Sequence, residues 1–184
     1  MASSALEERL TKADVLDLLD DRRFDLVDGK LIELRISWRD SIASAAIACE
    51  LHDFVRARRL GFVAGADNVL DIFDDPYHFR PANASFTRTE RVPEGRPDDG
   101  DQEVSPDLVV EVVPADQDDG LLQDKIDAFL DAGVPLVWVV NPGMEFVDVI
   151  RRRRPRQRLS PEDSLDGEDV LPGFSYPVAD IFDI

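Results

Sequence analysis

Disulfides are excluded at once. The chain has one cysteine, Cys49, and a lone thiol has no intramolecular partner. It sits among apolar residues of a helical stretch, which predicts a packed core thiol rather than a reactive one. Histidine is nearly as scarce: His52 and His78 stand far apart, with no cysteine at zinc-ligand spacing. His52 falls where a long helix is expected and reads as structural. Lysine occurs only at Lys12, Lys30 and Lys125, so the position of each carries information. No apolar run reaches the ~18 residues of a membrane span. The opening MASSALEERLTKADV lacks the apolar core of a secretion signal. A cytoplasmic protein without membrane contact is expected. P-loops, dinucleotide fingerprints and internal repeats are absent too.

Positive charge is short overall. Lysine and arginine total 21 against 39 aspartates and glutamates, a formal net charge of -18. Such a field repels phosphates at long range and argues against tight non-specific nucleic-acid binding, though a local basic groove stays open. The plainer reading of the acidity is solubility. What is present is enough for an ordinary core: 43% hydrophobic residues in 184, a length that fits one domain over 1–184.

The pattern along the chain is that of an α/β protein. Thr11 can cap a short helix over 13–19, with Asp14 in its first turn. In FDLVDGKLIEL, residues 24–34, Asp28-Gly29 between two short apolar-polar runs predicts a β-hairpin with a tight turn. Residues 38–59 hold no glycine or proline, and Ile47, Leu51, Phe54 and Val55 recur at helical spacing, so a long helix ends before Gly61. Strand-like runs follow at 61–66, 68–73 and 84–86. Residues 87–104 are polar and rich in turn formers, a loop long enough to be a flap. A strand at 108–113, a helix at 121–132 and a strand at 134–140 make a crossover unit. That unit implies at least one parallel pair, and so a mixed sheet with helices packed on it. A further strand at 146–150 leads into the basic segment 151–158.

Two residues stand out chemically. In SPDLVVEVV, Glu111 interrupts an apolar strand, where a carboxylate is costly unless paired or metal-bound. Asp107 and Glu111 share a strand face but lie about 13 Å apart, too far to grip one ion without a bulge. Lys125 lies on the flank of the apolar stripe formed by Leu122, Ile126, Phe129 and Leu130, and has no acid four residues away. Either its stem rests on the core edge and its head reaches water, or it points over the sheet at Glu111. In the second case it can position a water or stabilise developing charge in phosphodiester hydrolysis, with Mg²⁺ held by a further acid from a neighbouring strand. Arg151–Arg154, with Arg156 and Arg158, can meet phosphates or offset the chain's own acids.

These pieces resemble, in order, the Uma family of restriction endonucleases within the PD-(D/E)XK nuclease superfamily. The resemblance runs from about residue 10 to the C-terminus. It rests on FDLVDGKLIEL, RPANASF, SPDLVVEVV, Lys125, AGVPLVWVVNP and the closing LPGFSY. It implies a restriction-endonuclease-like mixed central sheet flanked by helices, with an N-terminal helix and β-hairpin, acids on adjacent strands and a lysine from the following helix. By motif position, Glu111, Lys125 and Asp107 carry over as catalytic residues. Glu111 and Asp107 carry over as metal ligands with Asn83, for Mg²⁺ or Mn²⁺. Two positions depart. Ala82-Asn83 stands where the family has Pro-Asp, which leaves a carbonyl oxygen but no charge. Asp25 stands where the family's hairpin has Glu; a surface hairpin residue is the expected reading, an accessory acid the other. Arg80, Arg151, Arg152 and Arg153 are candidate phosphate contacts. The resemblance thus implies a metal-dependent endodeoxyribonuclease acting on DNA as a homodimer, with a partly degenerate metal site. The alternative is an inactive nuclease-fold module that binds nucleic acid or protein.

Overall fold

A computed structural model of the chain describes residues 9–16, 24–66, 68–97 and 99–183. Helix α1 spans Lys12–Leu16, and residues 17–19 of the expected helix lie outside the described residues. Thr11 and Asp14 cap it reciprocally: Asp14 accepts from the Thr11 N–H at 2.8 Å, and the Thr11 hydroxyl accepts from the Asp14 N–H at 3.3 Å. Strands β1 (Phe24–Val27) and β2 (Lys30–Glu33) form the predicted antiparallel hairpin. Asp28 and Gly29 both have positive φ, 52° and 76°, the requirement of the turn that matches strand twist. A Cβ on Gly29 would sit 2.6 Å from the Cβ of Arg9.

Helix α2, Trp38–Arg58, starts at a capping box in which the Ser37 hydroxyl and the Asp40 carboxylate take each other's backbone N–H. It ends at Arg59 in the left-handed region. Then come β3 (Gly61–Ala64), β4 (Val69–Leu70), β5 (Arg80–Pro81), β6 (Ala84–Arg88) and β7 (Leu108–Val112). The expected 87–104 loop begins after Arg88 and contains two short 3₁₀ turns, Thr89–Arg91 and Pro93–Gly95. It is tied back: Lys12 pairs with Asp101 at 2.8 Å and also with Asp71, and Gln102 donates to the Thr87 hydroxyl at 3.0 Å.

Helix α3 (Asp119–Asp131), β8 (Leu136–Asn141), β9 (Phe146–Ile150), β10 (Gln157–Leu159), β11 (Ser164–Gly167), β12 (Leu171–Pro177) and α4 (Val178–Phe182) complete the chain. The central sheet has the order β10-β9-β8-β7-β6-β3. Only β7–β8 is parallel, joined through α3 as the crossover rule requires; the other pairs in the sheet are antiparallel.

Side-chain alternation divides the sheet into two faces. Phe86, Leu108, Val110, Leu136 and Trp138 pack under Ile47, Leu51 and Val55 of α2, closed off by Phe174 and Ile181. Val109, Val137 and Val139 pack under Ile126 and Phe129 of α3. Glu111 shares the parity of Val109, so it lies on the α3 face. One expectation fails on α2. Cys49 is exposed, not core, and His52 is exposed as well. The buried stripe of α2 runs through Ala43, Ile47, Leu51 and Val55, and both residues fall off it.

Candidate active site

The α3 face holds a buried cluster of charge. Asp25, Arg80, Glu111 and Lys125 are between 3% and 6% exposed. Lys125 projects from α3 onto the sheet. Its Nζ lies 3.1 Å from Oε2 of Glu111 and 3.2 Å from Oδ1 of Asp25, and it donates to the Pro81 carbonyl at 3.0 Å. Of the two sequence readings of Lys125, the structure has the one aimed at Glu111.

Asp25 corrects an expectation. It is not a surface hairpin residue. The hairpin docks on the chain before β5 through a two-way bridge between Leu26 and Phe79, at 3.0 and 3.1 Å, and the Gly29 N–H reaches the Tyr77 carbonyl. That docking turns Asp25 inward against Arg80 and Lys125. Arg80 is corrected with it. Its Nη1 sits 3.3 Å from Oδ2 of Asp25 and its Nε donates to Nε2 of His78 at 2.8 Å, so it is a buried partner of the acid and not an open phosphate contact. Burial lowers its pKa from the ordinary arginine value, against the pull of Asp25 and Glu111; a guanidinium nonetheless stays charged.

Asn83 lies beside this cluster, where β6 meets β7. Its N–H bonds to the Val110 carbonyl at 3.0 Å, and its Oδ1 accepts from the Val112 N–H at 2.9 Å. The carbonyl expected to face an ion is therefore already engaged by backbone, and the Asn83 Nδ2, fully buried, has no hydrogen-bond partner.

Asp107 does not join Glu111. It accepts from the Arg88 N–H at 2.9 Å and pairs with Arg91 at 3.1 Å. The regular β7 strand keeps the two acids at opposite ends, as strand spacing requires. Among the described residues no group of three or more His, Cys, Asp or Glu converges as for a metal ion; two carboxylates, Asp25 and Glu111, meet on Lys125.

The basic segment mostly answers the chain's own acids. Arg151 pairs with Glu168 and Arg152 with Asp131, while Arg158 grips both oxygens of buried Asp148 at 2.8 Å. Arg153 is exposed at a turn with φ 63°. A cavity of about 1050 Å³ lies between β3, the end of α2 and residues 92–97 and 99–104. Neither Glu111 nor Lys125 lines it.

Three contributors escaped the sequence reading: the burial of Asp25, the Pro81 carbonyl and His78. The first two depend on the long-range docking of the hairpin and β5, which no local pattern encodes.

A mixed sheet between two helices, with acids from a hairpin and a central strand closing on a lysine of the crossover helix, defines a nuclease-fold α/β protein. A family model, Uma2, described as "Putative restriction endonuclease", matches residues 12–179, and the chain belongs to that family. It is similar to a crystal structure titled as a "putative nuclease belonging to DUF820" from Anabaena variabilis. The two share 17% identity over 94% of this chain and 97% of that one, with a TM-score of 0.77. At that identity the likeness shows the fold. No curated protein matches the chain. Among the described residues, no helix is long and apolar enough to cross a membrane.

Proposed function

We propose that the chain is a Mg²⁺-dependent endonuclease, able to use Mn²⁺, that hydrolyses phosphodiester bonds in DNA at a metal site weakened by Asn83. One observation carries this reading: a buried ammonium, Lys125 Nζ, held within 3.2 Å of two buried carboxylates contributed by separate elements. The residues fit a divalent cation held by few protein charges. Mg²⁺ is commonly bound through one or two carboxylates, with waters and substrate phosphate completing its shell. Glu111 and Asp25 would hold it, with Asn83 as a neutral neighbour. Asp107, occupied by Arg88 and Arg91, takes no part. When bound, the ion would supply Lewis-acid polarisation of the phosphoryl oxygen and lower the pKa of a ligated water.

The chain's own groups do the rest. Glu111, presented by β7 on the α3 face of the sheet, would orient the attacking water. The Lys125 ammonium, now between Asp25 and Glu111, would face the oxygens on which negative charge grows. A preorganised donor in a dry site acts there with little reorganisation. Two copies assembled on one duplex would bring two such centres to opposite strands, and sedimentation of the free protein tests the homodimer.

The test is cleavage of single- and double-stranded DNA with Mg²⁺ or Mn²⁺ by wild type, Glu111→Ala and Lys125→Ala. We expect activity in wild type alone. Equal activity in all three marks a contaminating nuclease and removes the proposal.

The engaged Oδ1 of Asn83 favours a second reading, a nuclease fold that has lost its chemistry and binds nucleic acid or protein. Asn83→Asp separates the two. An aspartate keeps the Val112 N–H on one oxygen and turns a charged oxygen where the amide now stands. Mn²⁺ affinity should rise on the order of ten-fold or more, since affinity tracks ligand charge. Calorimetry that finds no metal binding in either protein supports the binding module instead.

A further inference from the structure

Asp25 divides its two oxygens. Oδ1 faces Lys125, while Oδ2 meets Nη1 of Arg80. Arg80 is in turn held from behind, because its Nε donates to Nε2 of His78 at 2.8 Å. A guanidinium has no acceptor. The Nε2 of His78 must therefore present its lone pair, which puts the ring proton on Nδ1. The ring is half-buried and packs on Phe73 with centroids 4.6 Å apart. Phe73 packs on Phe129 at 5.9 Å, one turn beyond Lys125 on α3. The charged groups that act on the ring are Arg80, Asp75, Asp28 and Asp25.

We infer that His78 is a positioning residue of this centre, which acts through Arg80 to fix Asp25 with Oδ1 toward Lys125. Arg80 alone is a long side chain with several rotamers. Anchoring its Nε at one end of the fork leaves Nη1 aimed at the carboxylate. Without His78 the guanidinium can swing, and Asp25 then loses the contact that decides which oxygen faces the cation position. Desolvation and the neighbouring Arg80 charge lower the pKa of the imidazole, which supports its role as an acceptor. The role rests on the metal-dependent reading above, so the test is built to fail separately from it.

The full chain is labelled with ¹⁵N and compared with His78→Gln, His78→Leu, Asp25→Asn and the His78→Leu/Asp25→Asn double variant. The two histidines are readily told apart, since His52 is exposed. Wild type should show the Nδ1-protonated tautomer at His78, with a cross-hydrogen-bond coupling between its Nε2 and Arg80 Nε. Mn²⁺ affinity measured by calorimetry should fall about ten-fold in His78→Leu, the scale of one hydrogen bond to a charged donor. In His78→Gln, whose amide oxygen replaces the acceptor, it should stay within about three-fold, on the same scale. In thermal unfolding, His78→Leu should lower the midpoint in wild type but by half or less in the Asp25→Asn background, because coupled residues are not additive.

An Nε2-protonated ring, equal affinities in wild type and His78→Leu, or a Gln variant as weak as the Leu variant overturns the inference. If wild type binds no Mn²⁺ and cuts no DNA, the metal-dependent reading falls. The tautomer and the double-variant cycle then decide whether His78 acts on Asp25: additive midpoints reject it, coupled midpoints retain it.

Discussion

Lys125 sits where a cation is wanted. Its ammonium contacts three oxygens from three segments, Pro81, Asp25 and Glu111, much as an ion would. It is a tethered counter-ion for the two acids and, on the proposed function, would compete with a metal for them. Removing it should separate affinity from activity. In Lys125→Met, cleavage is lost, yet Mn²⁺ binding measured by calorimetry strengthens about ten-fold, since a competing charge has gone. Metal-free stability should fall by about 3 kcal/mol, because two buried carboxylates lose the cation they share, although Asp25 keeps Arg80. Added Mn²⁺ should restore much of it by mass action. A variant that binds Mn²⁺ more weakly than wild type would show that Lys125 supports the metal rather than replacing it. His78 gives the second prediction at this scale. Burial and the Arg80 charge hold its pKa below the ordinary 6.5. The unfolded chain then binds the proton more tightly than the folded one. Stability from this group is fully present above about pH 6.5 and is lost as pH falls through the depressed folded value. Unfolding midpoints from pH 7.5 down to pH 5 should decline in wild type and less steeply in His78→Gln; parallel curves would assign the decline to other groups.

The elements that carry the site differ in how they are held. Helix α2 rests on a capping box, and Ser37→Ala should cost about 1 kcal/mol in denaturant unfolding, while Mn²⁺ affinity stays as in wild type because α2 packs on the opposite face from Glu111. A change in metal binding would mean that strain passes through the sheet. The strongly periodic elements were legible in the sequence: the Asp-Gly hairpin, α2, and the β7–α3–β8 crossover that sets Glu111 and Lys125 on one face. What was not legible has a physical cause in each case. β5 is two residues long and β10 lies inside a run of arginines; backbone pairing with β9 makes β10 a strand without any apolar alternation. β12 contains two prolines and Gly173 at φ 84°, signals that read as turns. Asp25 reads as surface because a hairpin turn is local, whereas the Leu26–Phe79 bridge that buries it joins residues far apart in the chain. Asp107 lies where strand spacing puts it, away from Glu111: β7 has no bulge to bring them together, and Arg88 and Arg91 hold it.

For the whole molecule the governing quantity is the net charge of -18. The arginine segment does little to offset it toward solvent, because its side chains are largely turned to Asp131, Asp148 and Glu168. The far field is therefore negative, and it acts on the fold and on DNA in opposite ways. Within the fold it is self-repulsion, which salt screens over about 10 Å at 0.1 M. The thermal midpoint in buffer without divalent ions should consequently rise as NaCl goes from about 20 to about 200 mM. Against DNA the same field slows approach, and most arginines of the basic segment already answer acids of the chain rather than phosphates. The slope of log K against log salt should then be shallow, on the order of -2 to -3, where a protein with six or more phosphate contacts gives -5 or steeper. Fluorescence anisotropy with a labelled duplex, in Ca²⁺ to prevent cleavage, measures it. A steep slope would require a cluster of cations that frees itself from its acidic partners on binding, and Arg151–Arg154 would be the first place to look. On the proposed metal-dependent reading, a shallow slope means that affinity comes from the Glu111–Asp25 centre itself. In that case Glu111→Ala, which removes one of the two carboxylates that meet there among the described residues, should abolish both the Ca²⁺ dependence of binding and the binding.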